Sequence, residues 1–410
     1  MITHDPKKTL EDLRDHLARH DRPLAFLFGA GASSSVNIAP PAVAGERRGY
    51  EPLIPAIAPL TKKCESVIKN AGNAFSQAWD LVWSECPTAN GHPNIEDVLS
   101  KIRTKIDAVG PNDRLVGLAR NDLESFEERI RTTIANEAAP ESAKIPDYLP
   151  HDDFARWIKE ATRNSAIEIF TTNYDVLIER ALERARIPVF DGFVGSNEPF
   201  FISDCLERKE LLPSQGWVRL WKIHGSVNWT LKKDGTGHRV IRTQPAKTGE
   251  MILPSHRKYD ESRKQPYLAI LNRLSKVLDA EDALLITSGF SFGDEHINAV
   301  IFTVLENRPR SHVICLHFSD LAKDDTLVKH ALLRKNFLLL GPNGAVIRRT
   351  WADWRLAEPV DEGTAQFVDV AFDTKAEPEN GNSNLEGVLR LGDFNVFCRF
   401  LRTMTPKETT

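Results

Sequence analysis

Three short polar stretches in this 410-residue chain each follow an apolar run directly, and their residue types could do chemistry together. In chain order they are Gly29-Ala30-Gly31-Ala32-Ser33, Thr171-Thr172-Asn173-Tyr174-Asp175 and Ile223-His224-Gly225-Ser226. The apolar runs, at residues 23–28, 166–170 and 217–223, predict strands. A glycine-rich turn between a strand and a helix presents backbone N–H groups to a nucleotide pyrophosphate, and open α/β sheets bind ligands at the carboxyl ends of their strands. The three stretches together therefore predict an NAD site.

The glycine-rich turn is not specific by itself. A Walker-type phosphate loop needs a lysine and a hydroxyl residue after its last glycine, and Ser34 and Ser35 stand here instead. The dehydrogenase fingerprint needs a third glycine, where Ser34 stands, and an acidic residue on a second strand about 20 residues later, whereas Glu51 lies in a proline-rich loop. A tight strand-to-helix turn without a nucleotide is therefore the structural alternative.

The polar residues after the strands also have ordinary structural explanations. The prediction that Asn173 and His224 are functional depends on their joint placement at strand ends. Asp175 can cap the helix that follows it. Asp294 can cap a helix that starts at Glu295, since Ser291-x-x-Asp294 is close to a capping box. A functional role and a capping role are both open for the two aspartates.

The side chains would be positioned by alternating strands and helices, which the remaining pattern predicts. Strands are predicted at residues 166–170, 188–190, 217–223, 283–287, 312–318 and 345–349, and helices at 9–20, 175–186, 265–279, 295–305 and 326–336. Residues 227–242 predict a hairpin with an Asp234-Gly235 turn. Residues 60–163 show only helical periodicity, which predicts an inserted helical layer.

The predicted fold class is thus α/β, a Rossmann-like parallel sheet with a helical insertion. The expected division places the nucleotide-binding domain at residues 1–59 and 166–350, the insertion at 60–165, and a linker with a C-terminal assembly segment at 351–410. Apolar residues at 388–404, after a linker at 376–387, and an apolar stripe along 115–134 predict a homo-oligomer. The proline- and glycine-rich loop at 38–59 predicts a lid.

Composition excludes several classes of protein. The formal charge is −4, and the basic residues are scattered along the sequence, so no footprint for nucleic acid is expected. The five cysteines are widely spaced, which indicates reduced thiols in the cytoplasm rather than disulfides or a zinc cluster. No apolar run reaches the roughly 18 residues of a membrane span, so no membrane association is expected.

The order of GAGAS, TTNYD, IHGS and SGFSFGDEHIN resembles the sirtuin superfamily, and specifically the bacterial sirtuin-like proteins of anti-phage defence, over residues 24–340. The resemblance implies a sheet of the sirtuin type, with Asn173 and His224 as catalytic residues. It also implies that the glycine turn lines the NAD pyrophosphate, and that Gly289 and Ser291 hold the adenine-side ribose and phosphate. The implied cofactor-binding residues are Gly29, Ala30, Gly31, Ser33, Asp175, Gly289, Ser291 and Asp294.

Two departures from the family bear on the reaction. Sirtuin deacylases carry a four-cysteine zinc module shortly after the histidine, and this chain has no cysteine between Cys205 and Cys315. The Phe-Arg pair that usually follows the glycine turn is replaced by Pro40-Pro41-Ala42. Neither zinc nor binding of an acylated peptide is therefore expected.

The resemblance and the chemistry of NAD together predict an NAD hydrolase. Nicotinamide leaves as a neutral molecule, so no acid has to protonate it, and the enzyme needs only a placed water and a base. Asn173 suits the first task and His224 the second. The resemblance further implies an NAD-depleting effector of anti-phage defence, regulated by a separate partner such as a HerA-type ATPase. The alternatives are an NAD-dependent protein deacylase and a non-catalytic module that binds NAD or ADP-ribose.

Overall fold

A computed structural model of the chain describes residues 2–41, 48–86, 93–234, 237–245, 266–374 and 385–405. The strands are β1 (Thr3–His4), β2 (Leu24–Phe28), β3 (Glu168–Thr171), β4 (Val189–Phe190), β5 (Phe193–Val194), β6 (Phe200–Phe201), β7 (Val218–Lys222), β8 (Trp229–Asp234), β9 (Gly237–Arg242), β10 (Leu284–Ser288), β11 (His312–Leu316), β12 (Phe337–Leu340), β13 (Gly344–Ile347), β14 (Thr350–Trp354), β15 (Phe372–Thr374) and β16 (Gly387–Leu389). The helices are α1 (Pro6–Ala18), α2 (Ala30–Ser34), α3 (Ile57–Lys69), α4 (Asn73–Ser84), α5 (Ile95–Ala108), α6 (Arg120–Ala138), α7 (Pro150–Glu160), α8 (Leu177–Arg184), α9 (Asp204–Glu207), α10 (Tyr267–Asp279), α11 (Glu295–Asn307), α12 (Thr326–Leu333), α13 (Glu362–Ala371) and α14 (Phe394–Arg402). The turn of the predicted hairpin, part of the predicted lid and most of the predicted linker lie outside the described residues.

The main sheet has the strand order β1-β14-β13-β12-β11-β10-β2-β3-β7-β4 in the described part of the chain. Its neighbours are parallel except around β13, which pairs antiparallel with β12 and β14. The expectation that residues 345–349 complete the parallel pattern is therefore wrong, because the short turn from β12 to β13 leaves no room for a crossover. The α/β class and the mostly parallel sheet are confirmed.

The strand order reverses at β2. The next strands in sequence, β3 and β7, lie on one side of it, whereas β10 and β11 lie on the other. A reversal of this kind opens a crevice at the carboxyl ends of the two central strands, here β2 and β10. The glycine turn at residues 29–33 follows one of these strands, and Gly289 follows the other.

Helices cover both faces of the sheet. Alternate residues of β2 point to opposite sides, so that Phe26 and Phe28 pack with α1, α7, α8, α13 and α14, while Ala25 and Leu27 pack with α10, α11 and α12. A smaller sheet, formed by β5, β6, β9 and β8, lies beside the second layer. This alternation explains why the central strands are apolar along their whole length.

The helices α3 to α6 have a hydrophobic core of their own. The apolar stripe of α6 is buried in that core, including Leu123, Phe126, Ile130 and Ile134, so it leaves no free face for contacts between copies. Helix α7, inside the segment predicted as an insertion, instead packs on the sheet, with Phe154 at 5.0 Å from Phe26 between ring centroids. The expected domain division stays a prediction.

The C-terminal segment does not present its apolar residues to a partner. Strand β16 pairs with β15, and the side chains of Phe394, Phe397, Phe400 and Leu401 on α14 are buried in the sheet core. Phe394 lies 5.1 Å from Phe28 between ring centroids. The expectation of an assembly surface on these residues is wrong, because the aromatic face of β2 itself requires a cover. No helix in the described ranges is long and apolar enough to cross a membrane.

Candidate functional site

Three glycines bring the turns after β2 and β10 into contact. The N–H of Gly31 donates to the carbonyl of Gly289 at 3.0 Å, and that of Gly29 donates to the carbonyl of Ser288 at 3.2 Å. A Cβ on Gly31 would lie 2.6 Å from the Cα of Gly289, which is too close for any side chain. Gly289 also has φ +64, in the left-handed region. The N–H groups of Gly29 and Gly31, which were expected to bind the pyrophosphate, thus connect the two turns. Ala30 is exposed beside them.

Asn173 lies just beyond β3 and is held by its neighbours in a single orientation. Its side-chain Nδ2 donates to the carbonyl of Gly29 at 2.9 Å and to the hydroxyl of Ser33 at 2.7 Å. Its backbone N–H donates to Oγ1 of Thr171. Because a carbonyl can only accept, the Gly29 contact assigns Nδ2 to this side and turns Oδ1 away. Oδ1 is therefore the acceptor that Asn173 can offer to a ligand or a water.

Asp175 supports Asn173 from behind. Its Oδ2 accepts a hydrogen bond from the Ser33 hydroxyl at 2.6 Å, and its Oδ1 accepts one from the N–H of Leu177 at the start of α8 at 3.0 Å. The carboxyl is almost fully buried. Asp175 therefore caps a helix and, through Ser33, holds the amide of Asn173, whereas its role in NAD binding stays a prediction.

His224 directly follows Ile223, beyond the end of β7, and pairs with Asp294. Its Nε2 lies 3.0 Å from Oδ2 of Asp294, whose Oδ1 accepts hydrogen bonds from the N–H groups of His296 and Ile297 at the start of α11. A proton on Nε2 leaves the lone pair of the neutral ring on Nδ1. Gly225, with φ 85, allows the sharp turn after the histidine. Asp294 thus combines a capping role with a contact to the predicted catalytic histidine.

The loops that carry Asn173 and His224 are tied to each other and to the helical layer. The carbonyl of Tyr174 accepts hydrogen bonds from the hydroxyl of Ser226 at 3.1 Å and from the N–H of Val227 at 2.9 Å. Val227 is buried in the core of α3 to α6, and Tyr174 packs against that core. Helices α3 to α6 therefore support both loops.

The sequence analysis missed Lys222, the last residue of β7. Its Nζ donates to the backbone carbonyl of Asp175 and, at 2.9 Å, to Oε1 of Glu179 on α8. Lys222 and Asp175 are buried and Glu179 is half-buried, and desolvation raises the pKa of Glu179. A lysine between two apolar residues, Trp221 and Ile223, was the signal that could have revealed this contact.

A cavity of about 10 Å³ lies behind Asn173, between Ser33, Asp175 and His151 of α7. His151 is almost fully buried, and its Nδ1 has no hydrogen-bond partner within the described ranges. Burial lowers the pKa of His151 to about 4, so the ring is neutral at pH 7. His151 was not predicted as a site residue, because it lies on α7, before the TTNYD motif in the chain.

The remaining predicted residues are less directly placed. Ser291 is exposed on the turn before Asp294, and its hydroxyl accepts a hydrogen bond from the N–H of Gly293 at 3.3 Å. Its role at the ribose stays a prediction. Within the described residues no three His, Cys, Asp or Glu side chains are arranged to hold a metal ion. The absence of zinc likewise stays a prediction.

Comparison with known proteins gives a partial assignment. Residues 167–340 match a family model described as the SIR2-like domain, so this part of the chain is sirtuin-like. The match includes Asn173, His224 and Asp294 but not the glycine turn after β2. No curated protein matches the chain. One similar solved structure is an ADP-ribose complex of a histidine-to-asparagine mutant of a Sir2 homologue, with 15% identity, a TM-score of 0.28 and coverage of 74% of this chain and 83% of that one. At this TM-score the structural likeness carries no weight for the site.

Proposed function

We propose that the chain hydrolyses NAD to nicotinamide and ADP-ribose. The observation that carries this proposal is the fixed amide of Asn173, whose Oδ1 is turned away from Gly29 and Ser33 at the crevice between β2 and β10. His224, paired with Asp294, follows the neighbouring strand. The similarity of residues 167–340 to the SIR2-like domain supports an NAD-related activity.

The reaction needs few groups. The bond between the ribose C1′ and the nicotinamide nitrogen breaks, and the electron pair neutralises the pyridinium, so the leaving group takes no proton. Oδ1 of Asn173 accepts a hydrogen bond from the attacking water and orients it. As the water oxygen bonds to C1′, Nδ1 of His224 accepts its proton, and the Asp294 carboxylate stabilises the resulting imidazolium.

The test is a chromatographic assay of NAD, nicotinamide and ADP-ribose with the full chain. Asn173→Ala and His224→Ala should each lower kcat by about 10²- to 10⁴-fold, with Asn164→Ala, an exposed asparagine, as the control. Unchanged turnover in both variants would contradict the site assignment. Nicotinamide release that requires an added acetyl-lysine peptide would favour the deacylase, and tight binding of ADP-ribose without turnover would favour a binding module.

We further propose that the NAD hydrolase acts in the cytoplasm as a homo-oligomeric effector of bacterial anti-phage defence, together with a HerA-type ATPase. The resemblance of the motifs supports this role, and an enzyme that depletes NAD requires a regulator. Cellular NAD should fall after infection only when the chain and the ATPase are both expressed. Co-purification and light scattering test the partner and the oligomer, and an NAD level that is independent of infection would contradict the role.

A further inference from the structure

A second cavity lies at the edge of the sheet opposite the candidate site. Its volume is about 250 Å³, and Ile167, Pro188 and Val218 line it where β3, β4 and β7 begin. The catalytic residues follow the other ends of β3 and β7. The cavity is therefore separate from the proposed NAD site.

The lining of this cavity is strongly positive. Lys159, Arg163 and Arg186 line it, and no carboxylate does so among the described lining residues. None of the three cations forms an ion pair in the part of the chain that the structure describes. Three cations around one cavity attract an anion, because their mutual repulsion is relieved when it binds.

Two of the residues that line the cavity each carry a buried polar atom without a hydrogen-bond partner in the described ranges. Nη1 and Nη2 of Arg163 donate to the carbonyls of Leu17 and Arg22 at 2.9 and 3.0 Å, but its Nε has no hydrogen-bond acceptor in the described ranges. Arg163 is only 8% exposed, and burial lowers its pKa to about 10. The hydroxyl of Ser165 is likewise buried without a partner. Buried donors of this kind normally have an acceptor.

Arg186 is an unusual residue for its backbone position. The N–H of Ile187 donates to the carbonyl of Leu182 and that of Arg186 to the carbonyl of Glu183, which is the Schellman pattern at the end of α8. Arg186 has φ 58, at a position where glycine is favoured. An arginine here places a cation at the cavity at a cost in backbone strain.

We propose that this cavity binds a small anion that carries one or two phosphate groups. Phosphate oxygens accept several hydrogen bonds at once and suit a cavity that is lined by two arginines, a lysine and a serine. The cavity is smaller than the roughly 300–1,000 Å³ of ordinary cofactor pockets, so it suits pyrophosphate rather than a dinucleotide. Lys159 and Arg186 also stabilise the ends of α7 and α8, but that role leaves Nε of Arg163 and the Ser165 hydroxyl without partners.

The test is isothermal titration calorimetry of the full chain with inorganic pyrophosphate at low ionic strength. The test variant is Lys159→Gln with Arg186→Gly, which leaves the Arg163 contacts intact and relieves the positive φ of Arg186, so it should fold. The matched control is Lys335→Gln with Arg348→Gly, because Lys335 and Arg348 are also exposed and Arg348 also has a positive φ, of 49. Both variants lose the same charge.

We expect pyrophosphate to bind the wild-type chain and the control alike, and the test variant at least about tenfold more weakly. Three results would overturn the proposal. They are no binding to the wild-type chain, equal binding to the test variant, and equal weakening in both variants, which would indicate net charge alone. Because pyrophosphate binding is measured without NAD turnover, the outcome is independent of the proposed hydrolase activity.

Discussion

The two halves of the candidate site are built on the same plan but differ in what holds them. Asn173 and His224 each follow one of two paired strands, β3 and β7, and each is supported by an aspartate that also caps a helix. The amide of Asn173 is oriented by a buried carbonyl and a hydroxyl, whereas the imidazole of His224 contacts a carboxylate directly.

This difference matches the two chemical tasks. An amide that places a water needs a fixed direction, and uncharged neighbours give it one without changing its charge. A base that becomes positive needs a negative partner, because the partner stabilises the protonated ring. Removal of a carboxylate should therefore affect the histidine half much more than the amide half.

The largest effect is expected for Asp294→Asn. The asparagine oxygen can still cap α11, so stability should change little, but the negative charge beside His224 is lost. We expect kcat to fall by about 10³- to 10⁴-fold with KM for NAD nearly unchanged. Asp393→Asn is the control, since Asp393 caps α14 through the N–H of Asn395 at 2.9 Å and lies on a different helix. Steady-state kinetics with full activity in Asp294→Asn would refute the pairing.

A smaller loss is expected for Asp175→Asn. The new amide still caps α8, but its NH₂ group would face the Ser33 hydroxyl, which then loses the acceptor for its own proton. The orientation of Asn173 is loosened rather than lost, because the Gly29 carbonyl remains. We expect kcat to fall by about 10²-fold, and by about tenfold in Ser33→Ala. If Asp175→Asn were as damaging as Asp294→Asn, the asymmetry between the halves would be wrong.

The amide half of the site contains a group that should respond to acid, because the buried His151 lines the same small cavity as Asn173. Its pKa is lowered to about 4 from the ordinary 6.5, so the unfolded chain takes up a proton in this range that the folded chain does not. The contribution of His151 to stability is full above pH 6.5 and is lost as the pH falls. We expect a loss of about 2 kcal/mol in the free energy of unfolding between pH 7 and pH 5 from this group.

Guanidinium denaturation of the wild-type chain and of His151→Gln at both pH values isolates this contribution. The variant should lose about 2 kcal/mol less than the wild-type chain over the same interval. Parallel losses in the two proteins would mean that His151 is not buried as a neutral ring.

Local patterns predicted much of the fold, and they brought the candidate site residues to attention. Strands such as β2 and β10 are buried on both faces, so their apolar runs mark them plainly. The contacts that build the site were out of reach, because they join distant parts of the chain. Asp294 reaches His224 across 70 residues, and the close approach of Gly31 and Gly289 depends on the sheet order.

The C-terminal helix α14 shows a related limit of prediction from the sequence. Its phenylalanines were recognisable as residues that need a surface to bury against, but the sequence does not say whether that surface belongs to the same chain. Phe26 and Phe28 of β2 supply that surface. The glycine turn follows the same strand directly. An amphipathic segment after a polar stretch is therefore a weak indication of a partner.

The smallest effect is expected at Ser291, which lies farther along the turn after β10 than the glycine contact. Its hydroxyl is exposed, and an exposed hydroxyl that binds a ribose contributes equally to the bound substrate and the transition state. Ser291→Ala should therefore raise KM for NAD by roughly 2- to 10-fold, the value of one neutral hydrogen bond, and leave kcat unchanged. Ser319→Ala, on the exposed loop after β11, serves as the control. A fall in kcat would place Ser291 with the catalytic halves of the site, and an unchanged KM would remove it from the NAD site altogether.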